Sequence, residues 1–325
     1  MIENKRVLIT GAAGFIGSHL TEAMLENNNH VVLVDNFNDY YPNKEEQLTE
    51  ILTNYDENKD YDLIKGDLLD VSIFKEIGFN YDIIFHLAAQ PGVRYSIENA
   101  GKVTHNNIVS TVNTFEHGRK CKDLEKIVFA SSSSIYGNPQ YTPLDEEHPK
   151  NPISPYAVSK LCCEIYADYY YREYALPITS LRFYTVYGIR GRPDMAIRKF
   201  FNSILRNEEI IIFGDGEQLR DFTFVSDIIN GLILGAEKKE SNGEIFNLGC
   251  SNPISVNMLV DKMYDIAGKS KKVKYIEKQQ GDVDITYSNT EKARKMLNYI
   301  PSVDIDEGLR IQYNWQKNQS SINNP

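Results

Sequence analysis

Tyr156 and Lys160 stand four residues apart in the run Tyr156-Ala-Val-Ser-Lys160, and Pro155 just before them is placed to open a helix. On a helix such a pair shares one face. A phenol in water ionises near pH 10, too high for a base at neutral pH, and a neighbouring ammonium favours the phenolate. The two side chains can therefore work as a proton-transfer unit. An ordinary amphipathic helix would carry the same pair, and the chain has 21 tyrosines, so the assignment needs partners. Lys126-Ile-Val-Phe-Ala followed by Ser131–Ser134 reads as a buried strand ending in hydroxyls. In an open parallel sheet, ligands lie at the carboxyl ends of strands. A serine there can bond a substrate hydroxyl and share its proton with Tyr156.

A second constellation suits a phosphate. Val7-Leu-Ile is a short apolar run, and Gly11, Gly14 and Gly17 follow it, leading into a segment whose apolar residues, Phe15, Ile16 and Leu20 among them, recur at helical spacing. Strand, glycine turn and helix present backbone N–H groups and the positive end of a helix dipole to a pyrophosphate. The spacing is G-x-x-G-x-x-G, which a purely structural turn would also satisfy. His30-Val-Val-Leu-Val-Asp35 strengthens the case, because it places a carboxylate at the end of a second strand. There an acid bonds the adenosine ribose hydroxyls of NAD and repels the extra phosphate of NADP. Asn36 is uncharged and the next cation is Lys44, so NAD is the expected cofactor. Asp67 and Leu68 end another strand, where Asp67 can accept from adenine, and Leu87, Ala88 and Ala89 give small side chains where a cofactor can pass.

The elements that must position these residues alternate. Strand-like runs at Val7–Thr10, Val31–Asp35, Asp62–Lys65, Ile83–Leu87, Ile127–Ser131 and Ile178–Phe183 are separated by helical patterns. This predicts an α/β fold, a doubly wound parallel sheet of Rossmann-like type, with a smaller interleaved α/β lobe. Residues 1–184 are expected to bind the cofactor, with parts of 221–250 returning to that domain, and 185–325 to form most of the second lobe. Between strands two and three, 38–61 is rich in Asn, Glu, Lys and Tyr, and predicts a loop and a charged exposed helix over Lys44–Leu52. Further helices are expected at Thr104–Lys120, Ser159–Tyr174, Val256–Ala267 and Glu291–Leu297, and a frayed tail over Gln316–Pro325.

The net charge of −10 argues against a nucleic-acid binder held by a broad basic surface. Arg94, Arg182, Arg190, Arg192, Arg198 and Arg220 are the candidates for a local positive pocket. No apolar run approaches bilayer length, the first strand leaves no room for a signal peptide, and the four cysteines lack metal-like spacing. A cytoplasmic protein with reduced thiols, no membrane contact and no metal is expected.

Five motifs occur in order along nearly the whole chain: Thr10-Gly-Ala-Ala-Gly-Phe-Ile-Gly17, His86-Leu-Ala-Ala89, Ser131-Ser-Ser-Ser-Ile-Tyr-Gly137, Tyr156-Ala-Val-Ser-Lys160 and Arg220-Asp-Phe-Thr-Phe-Val-Ser-Asp227. Together they resemble the extended short-chain dehydrogenase/reductases, and within them the nucleotide-sugar 4-epimerases. The resemblance implies Tyr156 as catalytic base, Lys160 as holder of the nicotinamide ribose, and Ser132 as the catalytic hydroxyl, with Ser133 and Ser134 near enough to share that assignment. It implies an oxidation at sugar C4 that is undone on the other face, with NAD as a resident cofactor. Arg220 would grip the diphosphate of a UDP-sugar, and Asp282 the uridine ribose. Dehydratases and decarboxylases of this group carry acids just before the Tyr-Gly of the serine-rich segment, whereas Ser133, Ser134 and Ile135 stand here. Thr185 stands where many UDP-galactose 4-epimerases have Asn, and the segments Arg190-Gly-Arg-Pro-Asp-Met-Ala196 and Gly92-Val-Arg-Tyr-Ser96 resemble epimerases that handle uronates. This implies UDP-glucuronate 4-epimerisation, with Thr185 and Arg192 at the carboxylate and Arg94, Ser132 and Ser133 among the substrate-binding residues. UDP-glucose or UDP-N-acetylglucosamine epimerisation, decarboxylation, dehydration and a non-catalytic NAD-binding regulator are the alternatives. A homodimer is also implied, through helices around Thr104–Lys120 and Ser159–Tyr174, and Tyr166, Tyr169, Tyr170 and Tyr171 suit an interface or, equally, a satisfied core.

Overall fold

The structure is a computed structural model that describes residues 2–278 and 281–322. In chain order the strands are β1 (Arg6–Thr10), β2 (His30–Asp35), β3 (Tyr61–Lys65), β4 (Ile83–His86), β5 (Lys126–Ser132), β6 (Ile178–Phe183), β7 (Thr185–Tyr187), β8 (Ile210–Phe213), β9 (Leu219–Arg220), β10 (Phe222–Phe224), β11 (Ile245–Leu248), β12 (Ile254–Ser255) and β13 (Val273–Ile276). The helices are α1 (Phe15–Glu26), α2 (Lys44–Leu52), α3 (Ile73–Ile77), α4 (Val93–Glu98), α5 (Ala100–Gly118), α6 (Pro155–Tyr174), α7 (Ala196–Leu205), α8 (Val225–Glu237), α9 (Val256–Ala267), α10 (Glu291–Leu297) and α11 (Ile305–Ile322).

Seven strands form one sheet in the order β11-β6-β5-β4-β1-β2-β3, every pair parallel. Parallel strands covered on both faces need apolar side chains on both, and β1 shows how the pleat divides them. Val7 and Ile9 enter one core with Phe15, Leu20 and Met24 of α1 and Ile228 and Leu232 of α8. Leu8 enters the other with Phe115 of α5 and Cys163, Ala167 and Tyr170 of α6. The strands expected from sequence coincide with six of these to within a residue at each end.

The later elements are shorter. β7 pairs with β10 and β8 with β13 in parallel, while β9 and β12 are antiparallel. α9 and α10 occupy the expected ranges. Two expectations need correction, and one that was left open is resolved for Tyr170. The chain after Gln316 continues in α11 to Ile322, where frayed tail was expected, because the buried Gln316 side chain ties the helix to Arg198 O (3.0 Å) and Asn202 Oδ1 (2.9 Å); 323–325 lie outside the described residues. The helix Lys44–Leu52 is not an exposed one throughout, since Lys44, Leu48, Ile51 and Leu52 are buried. Tyr170 is a core residue packed edge-on against Phe115 and bonded to Glu116 Oε1 at 2.7 Å, whereas Tyr166, Tyr169 and Tyr171 are exposed. Among the described residues no helix is long and apolar enough to cross a membrane, and no acid, histidine and cysteine cluster could hold a metal ion.

Candidate active site

The strand order reverses between β1 and β4, so a crevice opens beyond their carboxyl ends. Gly11 turns the chain there with φ of +74°, and a Cβ on it would lie 2.8 Å from Ala88 N. A Cβ on Gly17 would overlap the Gly11 carbonyl, so glycine is what lets α1 seat against the turn. α1 starts at Phe15 with no side chain capping it and no acid in its first turn. Its first N–H groups and its dipole are thus available to an anion.

One cavity is lined by every residue expected at the cofactor: Gly11, Gly14, Phe15, Ile16, Gly17, Asp35, Asn36, Asp67, Leu68, Leu87, Ala88, Ala89, Tyr156 and Lys160. Asp35 is buried and accepts from Phe37 N (2.8 Å) and Ala13 N (3.0 Å). Burial pushes its carboxyl above the ordinary range, and these bonds and nearby Lys44 only partly pull it back. Asp67 is steadied by Asn36 Nδ2 at 3.1 Å.

Tyr156 and Lys160 come from the first turns of α6, where Pro155 opens the helix and Ser154 Oγ accepts from Ala157 N at 3.2 Å. Lys160 Nζ donates to Ala130 O at 2.7 Å, which fixes the ammonium at the end of β5. One turn further, Glu164 binds α6 to the sheet. It accepts from Ser131 Oγ (2.5 Å) and takes a two-pronged bond from Arg182 at 2.9 and 2.8 Å, with Arg182 1% and Glu164 3% exposed. Arg182 also donates to Tyr136 OH at 2.7 Å, which clamps the far side of the serine-rich turn. Ser131 is therefore committed to structure. Ser132 caps a single turn over Ser133–Tyr136, accepting from Ser134 N (3.2 Å) and Ser134 Oγ (2.9 Å), and Ser133 beside it is half-buried.

Three expected sugar and nucleotide residues gather elsewhere. Arg220 and Asp282 line a second cavity with Phe213 and Gln218, and Arg94 reaches it by pairing with Asp282 at 2.9 Å and stacking 4.6 Å over the Phe213 ring. Burial lowers the Arg220 guanidinium from its ordinary value, and Asp282 and Asp284 oppose that fall. Arg192 lines the first cavity and shares a smaller one with the half-buried Thr185. It is bonded two-pronged to Asp194, Nε to Oδ1 at 2.9 Å and Nη2 to Oδ2 at 2.8 Å.

Sequence reasoning missed several cavity residues. Asn38, Tyr40, Tyr41 and Lys44 line it although 38–61 reads as polar surface. The aromatic pair Tyr40-Tyr41, in the loop five residues beyond Asp35, was the available signal. Asn106 and Ser110 of α5 also face it, with no signal beyond helical spacing.

The chain matches the family described as GDP-mannose 4,6 dehydratase over residues 8–312. It is 39% identical to a UDP-glucuronate 4-epimerase of Thermodesulfobacterium geofontis, with 95% of each chain covered. Among solved structures it resembles the UDP-glucuronic acid 4-epimerase of Bacillus cereus, crystallised with UDP-glucuronic acid and NAD, at 34% identity and a TM-score of 0.88, covering 97% of this chain and 99% of that one. It resembles the UDP-glucose 4-epimerase of Thermotoga maritima, crystallised with UDP-glucose, at 31% identity and a TM-score of 0.89, with the same coverage. With its glycine turn, its Tyr156–Lys160 helix and a family match across nearly its full length, the chain belongs to the extended short-chain dehydrogenase/reductases, in the GDP-mannose 4,6-dehydratase family.

Proposed function

We propose that this chain is an NAD-dependent UDP-sugar 4-epimerase whose substrate is UDP-glucuronate and whose product is UDP-galacturonate. The observation that carries the reading is one cavity holding the glycine turn and Asp35 at one end and Tyr156, Lys160 and Arg192 at the other. The residues fit NAD: the uncapped start of α1 suits a pyrophosphate, and buried Asp35 keeps acceptor capacity for a ribose diol. Bound there, NAD would supply the reversible hydride chemistry at sugar C4. Tyr156 takes the proton of the 4-hydroxyl and gives it back after the 4-keto sugar has turned over. Lys160, held by Ala130 O, keeps a positive charge on the same helix face, and Ser132 or Ser133 bonds the reacting oxygen. Arg220, Arg94 and Asp282 receive the nucleotide half in the second cavity.

The acids lining the first cavity are Asp35 and Asp67, which meet the adenosine end in this reading, and Glu164 is spent on Arg182 and Ser131. A dehydratase or decarboxylase would need a carboxylate near Tyr156 as a further proton carrier. Arg192 and Thr185 favour a uronate, because desolvating a carboxylate needs charge-assisted bonds. Holding that carboxylate also restrains a 4-keto uronate, a β-keto acid, from rotating into the geometry that loses CO₂. One observation favours a neutral hexose: Asp194 already neutralises Arg192.

Purified protein incubated separately with UDP-glucuronate, UDP-glucose and UDP-N-acetylglucosamine, without added cofactor, tests the reading by product separation. UDP-galacturonate should form fastest. Efficient conversion of UDP-glucose with none of UDP-glucuronate would overturn the carboxylate assignment and leave the epimerase chemistry. Denatured protein should release nicotinamide, and strict dependence on NADP would overturn the cofactor assignment. We also assign a cytoplasmic homodimer. All four cysteines are free thiols, as in a reducing compartment, and α6 exposes Val158, Ile165, Tyr166 and Tyr169 as amphipathic surface suited to an interface. A monomer by light scattering at micromolar concentration would end the dimer assignment.

A further inference from the structure

We infer that Asp194 and Tyr40 hold Arg192 as a neutral, oriented pair, and that this pair sets how strongly the site prefers an acidic hexose over a neutral one. The inference rests on the reading of Arg192 as the contact for the sugar carboxylate.

Three segments far apart in sequence meet at this point. Asp194 lies two residues beyond Arg192, across Pro193, whose fixed φ limits how far the two can part. Tyr40 arrives from the loop after β2, and its hydroxyl donates to Asp194 Oδ2 at 3.2 Å. Its ring lies 5.9 Å from the Arg192 guanidinium and meets the Tyr95 ring edge-on at 5.1 Å. A Cβ on Gly92 would overlap the Tyr40 hydroxyl, so the start of α4 packs directly on the tyrosine. Asp194 is thus gripped from two sides, and Tyr40 and Arg192 both line the cavity that holds Tyr156.

The arrangement has a charge consequence. Arg192 is 22% exposed and Asp194 38%, so solvent does not fully screen either. Burial alone would raise the Asp194 carboxyl, yet its bonds to Arg192 and Tyr40 hold it below the ordinary value, and it stays ionised at neutral pH. Two guanidinium donors, on Nε and Nη2, go to Asp194, and the others remain for a ligand. With a neutral hexose bound, the cation keeps its partner and no charge is left stranded. With a hexuronate bound, one guanidinium must serve two carboxylates. Asp194 therefore weakens uronate binding below what an unpaired arginine would give, and lets the site tolerate neutral sugars.

The test uses the whole protein and compares kcat/KM on UDP-glucuronate and UDP-glucose for wild type and Asp194→Asn. Asparagine removes the charge and keeps one acceptor oxygen for Arg192, while its N–H₂ group replaces one prong of the pair. The ratio of uronate to hexose should rise roughly tenfold, through a lower KM for UDP-glucuronate and an unchanged or higher KM for UDP-glucose. Asp194→Glu should bring the ratio back toward wild type, and in an Arg192→Gln background Asp194→Asn should leave the ratio unmoved. A merely structural defect would depress both substrates alike; that result, or a ratio that falls, overturns the inference while leaving the carboxylate reading of Arg192 standing. Wild-type protein that ignores UDP-glucuronate overturns both.

Discussion

Glu164→Gln replaces one carboxylate oxygen by an amide and changes almost nothing in shape. In the native protein Glu164 is the counter-ion of Arg182, and both are essentially buried. Burial by itself lowers the Arg182 guanidinium, but the Glu164 charge and bonds outweigh it and hold the group above its ordinary value. The variant leaves that cation without an anion and puts an N–H₂ group where Ser131 Oγ or Arg182 now donates. Breaking one side of a buried pair costs about 3–5 kcal/mol, a large share of a typical folding free energy. The thermal midpoint should fall by about 4–7 °C. Because Glu164 lies one turn beyond Lys160, kcat should also fall while nicotinamide content is kept. The paired variant Glu164→Leu with Arg182→Met should recover most of the stability, since removing both charges removes the desolvation penalty as well. Calorimetry and steady-state kinetics on the three proteins decide it. A loss below about 1 kcal/mol in Glu164→Gln would refute the reasoning, by showing that Tyr136 OH and Glu146 O satisfy Arg182 unaided.

Tyr156→Phe should lower turnover by about 10²–10⁴-fold with bound nicotinamide unchanged, measured by product separation and by release on denaturation. Gly17→Ala should cost about 1–3 kcal/mol and reduce bound nicotinamide, since its Cβ must displace the Gly11 carbonyl; calorimetry and nicotinamide release check it. Burial holds His86 down at about 3, so between pH 3 and 6.5 the unfolded chain binds the extra proton, and stability rises with pH through that window. Asp35, Glu146 and Asp221, raised by burial, act in the opposite sense at acidic pH. Comparison with His86→Gln therefore isolates the histidine: urea unfolding should show wild type losing about 2 kcal/mol more than the variant between pH 7 and pH 5.

The sheet was legible because parallel strands buried on both faces leave unbroken apolar runs such as Val31-Val-Leu-Val34, and because Gly11 and Gly17 occupy positions where a Cβ collides with backbone. That Tyr156 and Lys160 share one helix face was legible from their spacing and from Pro155 before them, and both line the cavity. What the sequence hid was burial of polar residues. Lys44 opens a helix that reads as charged surface, yet its ammonium bonds Asn38 Oδ1 at 2.9 Å and sits over the Tyr41 ring at the cavity wall. Tyr170 stands in a row of tyrosines that suits surface or core alike, and only the packing of α5 on α6 makes it core. Glu164 is charged and carries no local signature, because its partners come from β5 and β6 and meet it only in the folded sheet.

The link between the glycine turn and the helix carrying Tyr156 is likewise revealed by no local pattern. Ala88 N donates to Thr10 Oγ1 at 3.3 Å, Thr10 meets His86 Nδ1 at 2.8 Å, and His86 Nε2 meets Thr111 Oγ1 at 3.0 Å. Thr111 in turn donates to Asn107 O at 2.7 Å, and Asn107 Nδ2 reaches Ser159 Oγ at 2.9 Å, which bonds Tyr156 O at 2.8 Å. An amide donor at one end and a carbonyl acceptor at the other fix the direction of the first part of this chain. Thr10 must donate to Nδ1 and His86 must carry its proton on Nε2, an assignment made from the network. A protonated ring would present a second donor to Thr10, whose hydroxyl would have to turn away from it. Burial, and after it the nearby Lys160 cation, keep the imidazole neutral, and a neutral imidazole lets the wall beside the glycine turn and the helix carrying Tyr156 share a single run of hydrogen bonds.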